Sequence, residues 1–290
     1  MENIIELKSG SNRWQVLQPA IYLISILPGL TWSTLPNGSS SGLHLMVITL
    51  AVVLIQHGVN VLNDVIDWKK GADSEKELSW AHFHRLDLTV VKVHGLVSFL
   101  IGTLIGLSEI YYFQRFEVLY VAIPLLVLGY GYNASQWTLS YTSLGEWVTG
   151  LCYGPGVFGC MGYLLFPSIT PTLVLGSIAF GFLAVAVLFS HQPPQVLSDF
   201  LAGKSSFAVR YGAKITYLIS RTLCVSALCL LVFIFNVNAS SLIAPITLFI
   251  GFAITLLRLF KTEPSPKLIL QSALSIVSLP IILKLLEGLV

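Results

Sequence analysis

Stretches of apolar residues recur along the chain, each long enough to cross a bilayer. They lie near residues 16–34, 43–62, 90–110, 116–133, 144–166, 171–191, 214–235, 240–259 and 268–288. A span needs roughly 17–25 mostly apolar residues to cover a hydrocarbon core about 30 Å thick. Pro124, Pro155 and Pro245 fall inside spans. That is tolerable where neighbouring helices satisfy the freed carbonyls. Polar residues collect instead in two connections, 63–92 and 192–213. The pattern predicts an all-α, polytopic membrane protein, with one membrane-embedded domain over residues 1–290. The first 13 residues lack the apolar core and cleavage site of a signal peptide, so no cleaved leader is expected.

Composition agrees with the pattern and removes whole classes of function. Of 290 residues, 55% are hydrophobic and 10% charged, against roughly 25% charged in soluble domains. The mean hydropathy is +0.81. A soluble enzyme of this size needs far more polar surface. A nucleic-acid partner is excluded too, since 16 Lys and Arg against 14 Asp and Glu leave only +2 and no basic arm. The lipid bilayer is the expected surrounding. Four cysteines sit in apolar stretches with no C-x-x-C pair, and read as small buried hydrophobes.

Charge placement sets an orientation. With the N-terminus inside, every Lys and Arg except Arg115 and Lys284 falls on the inner side or its flanks. The positive-inside rule predicts such an asymmetry. The N-terminus and both polar connections are therefore expected on the cytoplasmic face, in a bacterial inner (plasma) membrane. An eight-span threading changes little beyond the side of the C-terminus.

The second span runs on into H-G-V-N-V-L-N-D-V-I-D-W-K-K-G-A-D. If the helix continues, His57, Asn60, Asp64 and Asp67 share one face, being 3, 4 and 3 residues apart. Carboxylates at a membrane boundary are costly unless they find cations, and so mark function by default. The chemistry that suits them is a hard divalent cation. Mg²⁺ takes oxygen ligands, one or two of them carboxylates, and completes its shell with water and substrate phosphate. A phosphate or diphosphate ligand follows, with Lys69 and Lys70 as neutralising point charges.

A second segment echoes the first. Gln195-Val-Leu-Ser-Asp199 can be laid on Asn60-Val-Leu-Asn-Asp64, each after a histidine, at an inner helix end and before basic residues, here Lys204 and Arg210. An internal duplication with two facing half-sites is one arrangement membrane helices adopt. Glu146 at the start of a span reads either as a functional acid or as a favourable charge at a helix N-terminus, the latter being the simpler explanation. His82, His84 and His94 read as loop residues without metal-ligand spacing.

These residues resemble the UbiA superfamily of intramembrane aromatic prenyltransferases, and within it the 1,4-dihydroxy-2-naphthoate branch of menaquinone synthesis. Asn60 to Asp73 follows that branch's N-x-x-N-D-x-x-D-x-x-x-G-x-D motif. Tyr132, Tyr141, Leu144, Gly145 and Glu146 keep the spacing of its Y-T-G-G-P-x-P-x-x-Y-x-x-L-G-E segment. Gly203, Lys204, Val209, Arg210 and Gly212 match its G-K-x-T-L-x-V-R-x-G tail. The departures are Gln195 in place of the first Asp of a D-x-x-x-D motif, Gln136 and Thr138 in place of prolines, and Ser205-Ser206 in place of Arg-Thr.

The resemblance implies nine transmembrane helices around a central chamber, and Mg²⁺-dependent transfer of a prenyl group from a polyprenyl diphosphate to an aromatic acceptor. It implies metal ligation by Asn60, Asp64, Asp67, Asp199 and Gln195, the last through its amide oxygen. Lys69, Lys70, Lys204 and Arg210 are expected on the diphosphate, and Asn63, Asp73, Tyr132 and Tyr141 on the substrates. Asp64, Asp67, Asp199 and Lys204 are the expected catalytic set. Two other readings stay open: a relative acting on a different acceptor, and a non-catalytic lipid-binding or partner protein that keeps the fold.

Overall fold

A computed structural model describes residues 13–35, 42–72, 78–133, 138–239 and 243–287. Among the described residues, nine helical segments are long and apolar enough to cross a membrane, and none is a strand. We label them α1 Trp14–Thr34, α2 Gly42–Lys70, α3 Leu88–Phe113, α4 Phe116–Asn133, α5 Gly145–Leu165, α6 Pro171–Leu201, α7 Ala213–Val237, α8 Ile243–Lys261 and α9 Pro266–Leu286. These are the nine spans read from the apolar pattern. The protein is an integral, multi-pass membrane protein.

Three helices depart from regular geometry, each beside the chamber that they enclose. α1 breaks at Gln18, in the left-handed region at φ 47°, and continues as a 3₁₀ turn over Pro19–Tyr22. α5 widens into a π-helix over Cys152–Gly159, around Pro155. α6 is interrupted after His191 by a 3₁₀ turn at Pro193–Gln195 before its last stretch, Val196–Leu201. Two successive prolines cannot donate the backbone bonds that would continue the helix. The kink re-aims the final turn, and with it Asp199.

Helix contacts follow residue size. α2 and α3 pack along most of their length because Gly58 and Gly102 lie at the crossing. A Cβ at Gly58 would stand 2.6 Å from the Gly95 carbonyl oxygen, and one at Gly102 2.6 Å from that of Ala51. Small residues let backbones approach where lipid supplies no hydrophobic drive. The core lies among α5, α6, α7 and α9, where Phe158, Leu183, Leu228 and Ile276 are fully buried. Trp32 of α1 stacks on Phe158 at 4.8 Å and donates its indole N–H to the Phe158 carbonyl at 3.1 Å. Contacting neighbours run α3, α2, α1, α9, α6, α5, α4 around a cavity of about 470 Å³. α7 packs outside on α6, and α8 on α7 and α9.

Candidate active site

Both polar connections begin at helix ends of the same design. α2 runs without a break through Asp64 and Asp67 to Lys70. Gly71, at φ 80°, then turns the chain, its N–H donating to the Trp68 carbonyl and that of Ala72 to Asp67. In α6 Gly203, at φ 74°, donates to Phe200, and Lys204 donates to the Asp199 carbonyl at 2.8 Å. Each is a glycine-closed C-cap in which the residue after the glycine bonds back five positions. Asp67 and Asp199 are therefore structural equivalents. The sequence echo placed Asp199 on Asp64, but the helix ends pair it with Asp67.

The two carboxylates meet at one cation. Lys204 Nζ lies 3.8 Å from Asp67 Oδ2 and 3.7 Å from Asp199 Oδ1. Both acids are only 3% exposed. Asp67 also accepts from the Tyr141 hydroxyl at 2.7 Å and from the Asn63 amide at 2.5 Å. Asp64, one turn earlier, accepts the Trp80 backbone N–H at 2.7 Å, which supplies a partner to an orphan donor at the start of the short helix Trp80–Phe83. Ser205 N–H donates to the Tyr141 carbonyl at 3.0 Å, holding the Lys204 loop beside the tyrosine.

The chamber sorts the residues singled out above. Asn60, Asn63, Asp64, Asp67, Tyr132, Gln195, Asp199 and Lys204 all line it. Lys69, Lys70, Tyr141 and Arg210 stand behind its wall. Lys70 donates to Thr138 Oγ1 at 2.8 Å and sits 3.8 Å over the Tyr141 ring. Arg210 pairs with Glu146 at 3.1 Å and donates from Nε to the Ser205 carbonyl. Asp73 and Gln136 lie outside the described residues.

Three groups take places that the sequence reading did not assign. Glu146 does lie in the first turn of α5, yet it is buried, lines the chamber, and accepts the Phe207 N–H at 2.8 Å besides Arg210. Gln192 is buried on the chamber wall and accepts the Ala208 N–H at 3.2 Å. His57 shares the α2 stripe but does not line the chamber; it bonds Tyr22 at 2.7 Å and His94 at 3.0 Å, and His94 bonds His84 at 3.3 Å. His94 lies within α3, not in a loop. His57, His84 and His94 all gather around the Trp80 ring.

The donor set at the polar end is carboxylate and amide oxygen, with no thiol among the residues singled out there. Such donors suit a hard ion such as Mg²⁺. Among the described residues no three His, Cys, Asp or Glu side chains group closely enough to hold a metal by themselves. The fit is therefore to an ion that completes its shell on amide and phosphate oxygens. The rest of the chamber is largely apolar, lined by residues such as Ile48, Val52, Leu125 and Met161.

Fold and site together define a membrane-embedded protein whose apolar chamber ends in two facing acidic helix ends and a half-buried lysine. The chain belongs to the UbiA prenyltransferase family, whose model matches residues 22–274. It is similar to the 2-carboxy-1,4-naphthoquinone phytyltransferase of Synechocystis sp., 29% identical over 211 residues, 69% of this chain and 66% of that protein. That match spans slightly under two thirds of the relative's length. It is similar to the 1,4-dihydroxy-2-naphthoate octaprenyltransferase of Haemophilus influenzae, 29% identical over 245 residues and 76% of each chain. A UbiA homolog from Archaeoglobus fulgidus, solved bound to DMAPP and Mg²⁺, superposes with a TM-score of 0.61 at 14% identity, covering 93% of this chain and 97% of that one. At that identity the likeness shows the fold.

Proposed function

We propose that this protein transfers a prenyl group from a polyprenyl diphosphate to an aromatic acceptor of the 1,4-dihydroxy-2-naphthoate type, using Mg²⁺. One observation carries the reading: Asp67 and Asp199 converge on Lys204 at the polar end of an apolar chamber. A diphosphate head matches that end and a hydrocarbon chain matches the rest. The two relatives named above act on naphthoate-type acceptors by their names, and the archaeal homolog holds a prenyl diphosphate with Mg²⁺.

Asp64, Asp67 and Asp199, with the amide oxygens of Asn60 and Gln195, would hold Mg²⁺ in this reading. The metal supplies Lewis-acid stabilisation of the leaving diphosphate. Lys204 places a fixed positive charge where negative charge builds as the carbon–oxygen bond breaks. Lys69, Lys70 and Arg210 act from behind the wall, and Asp73 belongs to the same motif. The allylic cation left behind needs shelter from water, and the chamber wall supplies it. Tyr132, on the chamber wall, would offer an aromatic ring to that cation. The ring carbon of the acceptor then attacks, and the ring regains its aromaticity as the carboxylate leaves as CO2, which gives the prenylated naphthoquinol. With nearly all Lys and Arg on one side, the site opens to the cytoplasmic face of the membrane, a bacterial inner membrane in this reading.

The test is direct. Purified protein in detergent or nanodiscs is incubated with radiolabelled polyprenyl diphosphate, 1,4-dihydroxy-2-naphthoate and Mg²⁺. Prenylated naphthoquinol and diphosphate should form together, and chelation by EDTA should stop both. Tight binding of the diphosphate with no product from any aromatic acid would replace the enzyme reading with a lipid-binding one.

A further inference from the structure

A tyrosine and three histidines join into one hydrogen-bonded row that the metal site does not use. Tyr22, in the 3₁₀ turn of α1, is buried and lines the chamber. Its hydroxyl lies 2.7 Å from His57 Nδ1 on α2. His57 Nε2 lies 3.0 Å from His94 Nε2 on α3, and His94 Nδ1 lies 3.3 Å from His84 Nε2. The four groups come from four separate elements. His84 follows the short helix Trp80–Phe83, outside the spans, so the row runs from the chamber wall to the inner boundary of the membrane.

One direction of donation satisfies every link. A neutral imidazole carries one N–H and one acceptor nitrogen. The Tyr22 hydroxyl donates to His57 Nδ1, His57 Nε2–H donates to His94 Nε2, and His94 Nδ1–H donates to His84 Nε2. His84 then carries its own N–H on Nδ1. A proton delivered to the Tyr22 oxygen reaches His84 by one shift along each bond, and Tyr22 is a neutral phenol before and after. Imidazoles spent on one another in a line share no point for a metal ion, and among the described residues no such group of three is found.

Packing alone does not call for this row. Beside it, α2 crosses α3 on Gly58, Gly95 and Leu62 without a polar side chain. The Trp80 ring lies 5.2 Å from His57 and 4.8 Å from His94, within the range at which an aromatic ring stabilises a cation. An excess proton is therefore tolerated along the row and costs least at His84, outside the spans. His82 takes no part, since it bonds Ser79 and meets the Trp68 ring. Of the other ionisable groups nearby, Arg85, Asp87 and Lys92 are exposed, and Asp64 meets the cluster through the Trp80 backbone N–H.

Depth gives the row its purpose. His57 stands seven residues before Asp64, about 10 Å along the helix axis. Tyr22 thus lies beyond the head of a bound diphosphate, at the depth where an acceptor ring meets the allylic carbon. Resting on the function proposed above, we infer that Tyr22, His57, His94 and His84 form a proton relay that holds the acceptor's hydroxyl proton while the new carbon–carbon bond forms. As the ring carbon attacks, the neighbouring hydroxyl becomes a carbonyl; its proton passes to Tyr22, and the proton of Tyr22 passes to His57. The attacked carbon now bears both the prenyl group and the carboxylate, next to that carbonyl. Its bond to the carboxylate breaks, the electron pair restores the aromatic ring, and CO2 leaves. The proton returns along the row to the acceptor oxygen, so none is gained or lost overall.

His57→Gln separates a relay from a structural row. Its amide oxygen accepts from Tyr22 and its N–H donates to His94, so both bonds are kept, but an amide passes no proton. The full chain in nanodiscs is assayed with octaprenyl diphosphate, 1,4-dihydroxy-2-naphthoate and Mg²⁺. His57→Gln and Tyr22→Phe should each lower kcat about 10²-fold, with KM for the diphosphate unchanged. Added imidazole should revive His57→Ala. Wild-type kcat should fall as the pH drops, because a row already protonated takes up no further proton, and His57→Gln should lack that limb. Wild-type turnover in His57→Gln, or no revival of His57→Ala by imidazole, overturns the relay. If His57→Gln does not fold, Tyr22→Phe decides, since it removes one hydroxyl; full turnover there overturns the relay as well. A wild type that forms no product refutes the function itself, whereas an active wild type indifferent to both substitutions refutes only the relay.

Discussion

Asp67 and Asp199 present one carboxylate oxygen each to the same ammonium group, at 3.8 and 3.7 Å from Lys204 Nζ. A direct ammonium–carboxylate hydrogen bond is about 2.7–2.9 Å, so Lys204 is suspended between the two acids and locked to neither. The pair is buried, comes from two structurally equivalent helix ends, and closes only because Gly203 turns Lys204 back over Asp199. Two half-sites thus become one site through a single lysine.

Replacing that lysine tests the arrangement. Lys204→Met leaves two buried carboxylates without their shared cation. Breaking a buried pair costs about 3–5 kcal/mol at most; Asp67 keeps its bonds to Tyr141 and Asn63, which places this case at the lower end. The variant should unfold at lower temperature without metal, and added Mg²⁺ should raise its Tm more than that of wild type. Turnover should fall about 10²–10³-fold, as when a charge-stabilising donor is removed elsewhere. A variant with wild-type turnover would show that Lys204 takes no part in the chemistry.

Gln195 lines the chamber one turn before Asp199. Its amide oxygen is a weaker donor to a hard cation than a carboxylate, and affinity in oxygen-ligand sites rises with ligand charge. Gln195→Asp should therefore lower the Mg²⁺ concentration for half-maximal activity several-fold. A Mg²⁺ titration that overlays wild type would place residue 195 outside the metal's shell.

The spans were legible because a bilayer demands long apolar helices and little else satisfies the backbone there. Asp64, Asp67 and Asp199 stood out for the complementary reason, as charges where lipid penalises them. Gln192 and the depth of Glu146 were hidden, because an uncharged amide beside Pro193 and an acid in a first helical turn both have ordinary local explanations. The likeness of the two helix ends shows in Gly71 and Gly203, whose left-handed conformation only a backbone reveals. The histidines around Trp80 were equally silent, since α3 brings His94 to His57 from another element.

Helix packing gives a prediction independent of the chemistry. A Cβ at Gly58 would press on the Gly95 oxygen at 2.6 Å and the Phe99 nitrogen at 2.7 Å, both backbone atoms. No rotamer change relieves that contact. Gly58→Ala must separate α2 from α3 and should cost about 1–3 kcal/mol, as overpacking does in other cores. Thermal unfolding in detergent reads the loss directly; an unchanged Tm would mean that the two helices sit farther apart.

Tyr141 stands behind the chamber wall but reaches Asp67 with its hydroxyl at 2.7 Å, while its ring lies under Lys70 at 3.8 Å. The two roles separate by substitution. Tyr141→Phe keeps the ring and leaves Asp67 one buried hydrogen bond short, a loss of about 1–3 kcal/mol. Turnover should drop about tenfold, with the Mg²⁺ dependence altered because Asp67 is the residue released. Tyr141→Ala also removes the seat of Lys70 and should lower activity further. Equal activity of the Phe variant and wild type would show that the hydroxyl does not tune Asp67.

Glu146 supports the site through Lys204. Its Oε1 accepts the Phe207 N–H and the Arg210 guanidinium, and so pins residues 204–210 against α5. Glu146→Gln keeps an acceptor for Phe207 but loses the charge that holds Arg210, whereas Glu146→Ala releases both. If the acid acts by positioning, the Ala variant should raise KM for the diphosphate more than it lowers kcat, the Gln variant should recover much of that KM, and Arg210→Met should resemble the Gln variant. An acid that moved a proton in the reaction would behave otherwise. Gln and Ala would then be equally slow, at unchanged KM, and Arg210→Met would leave the rate largely intact.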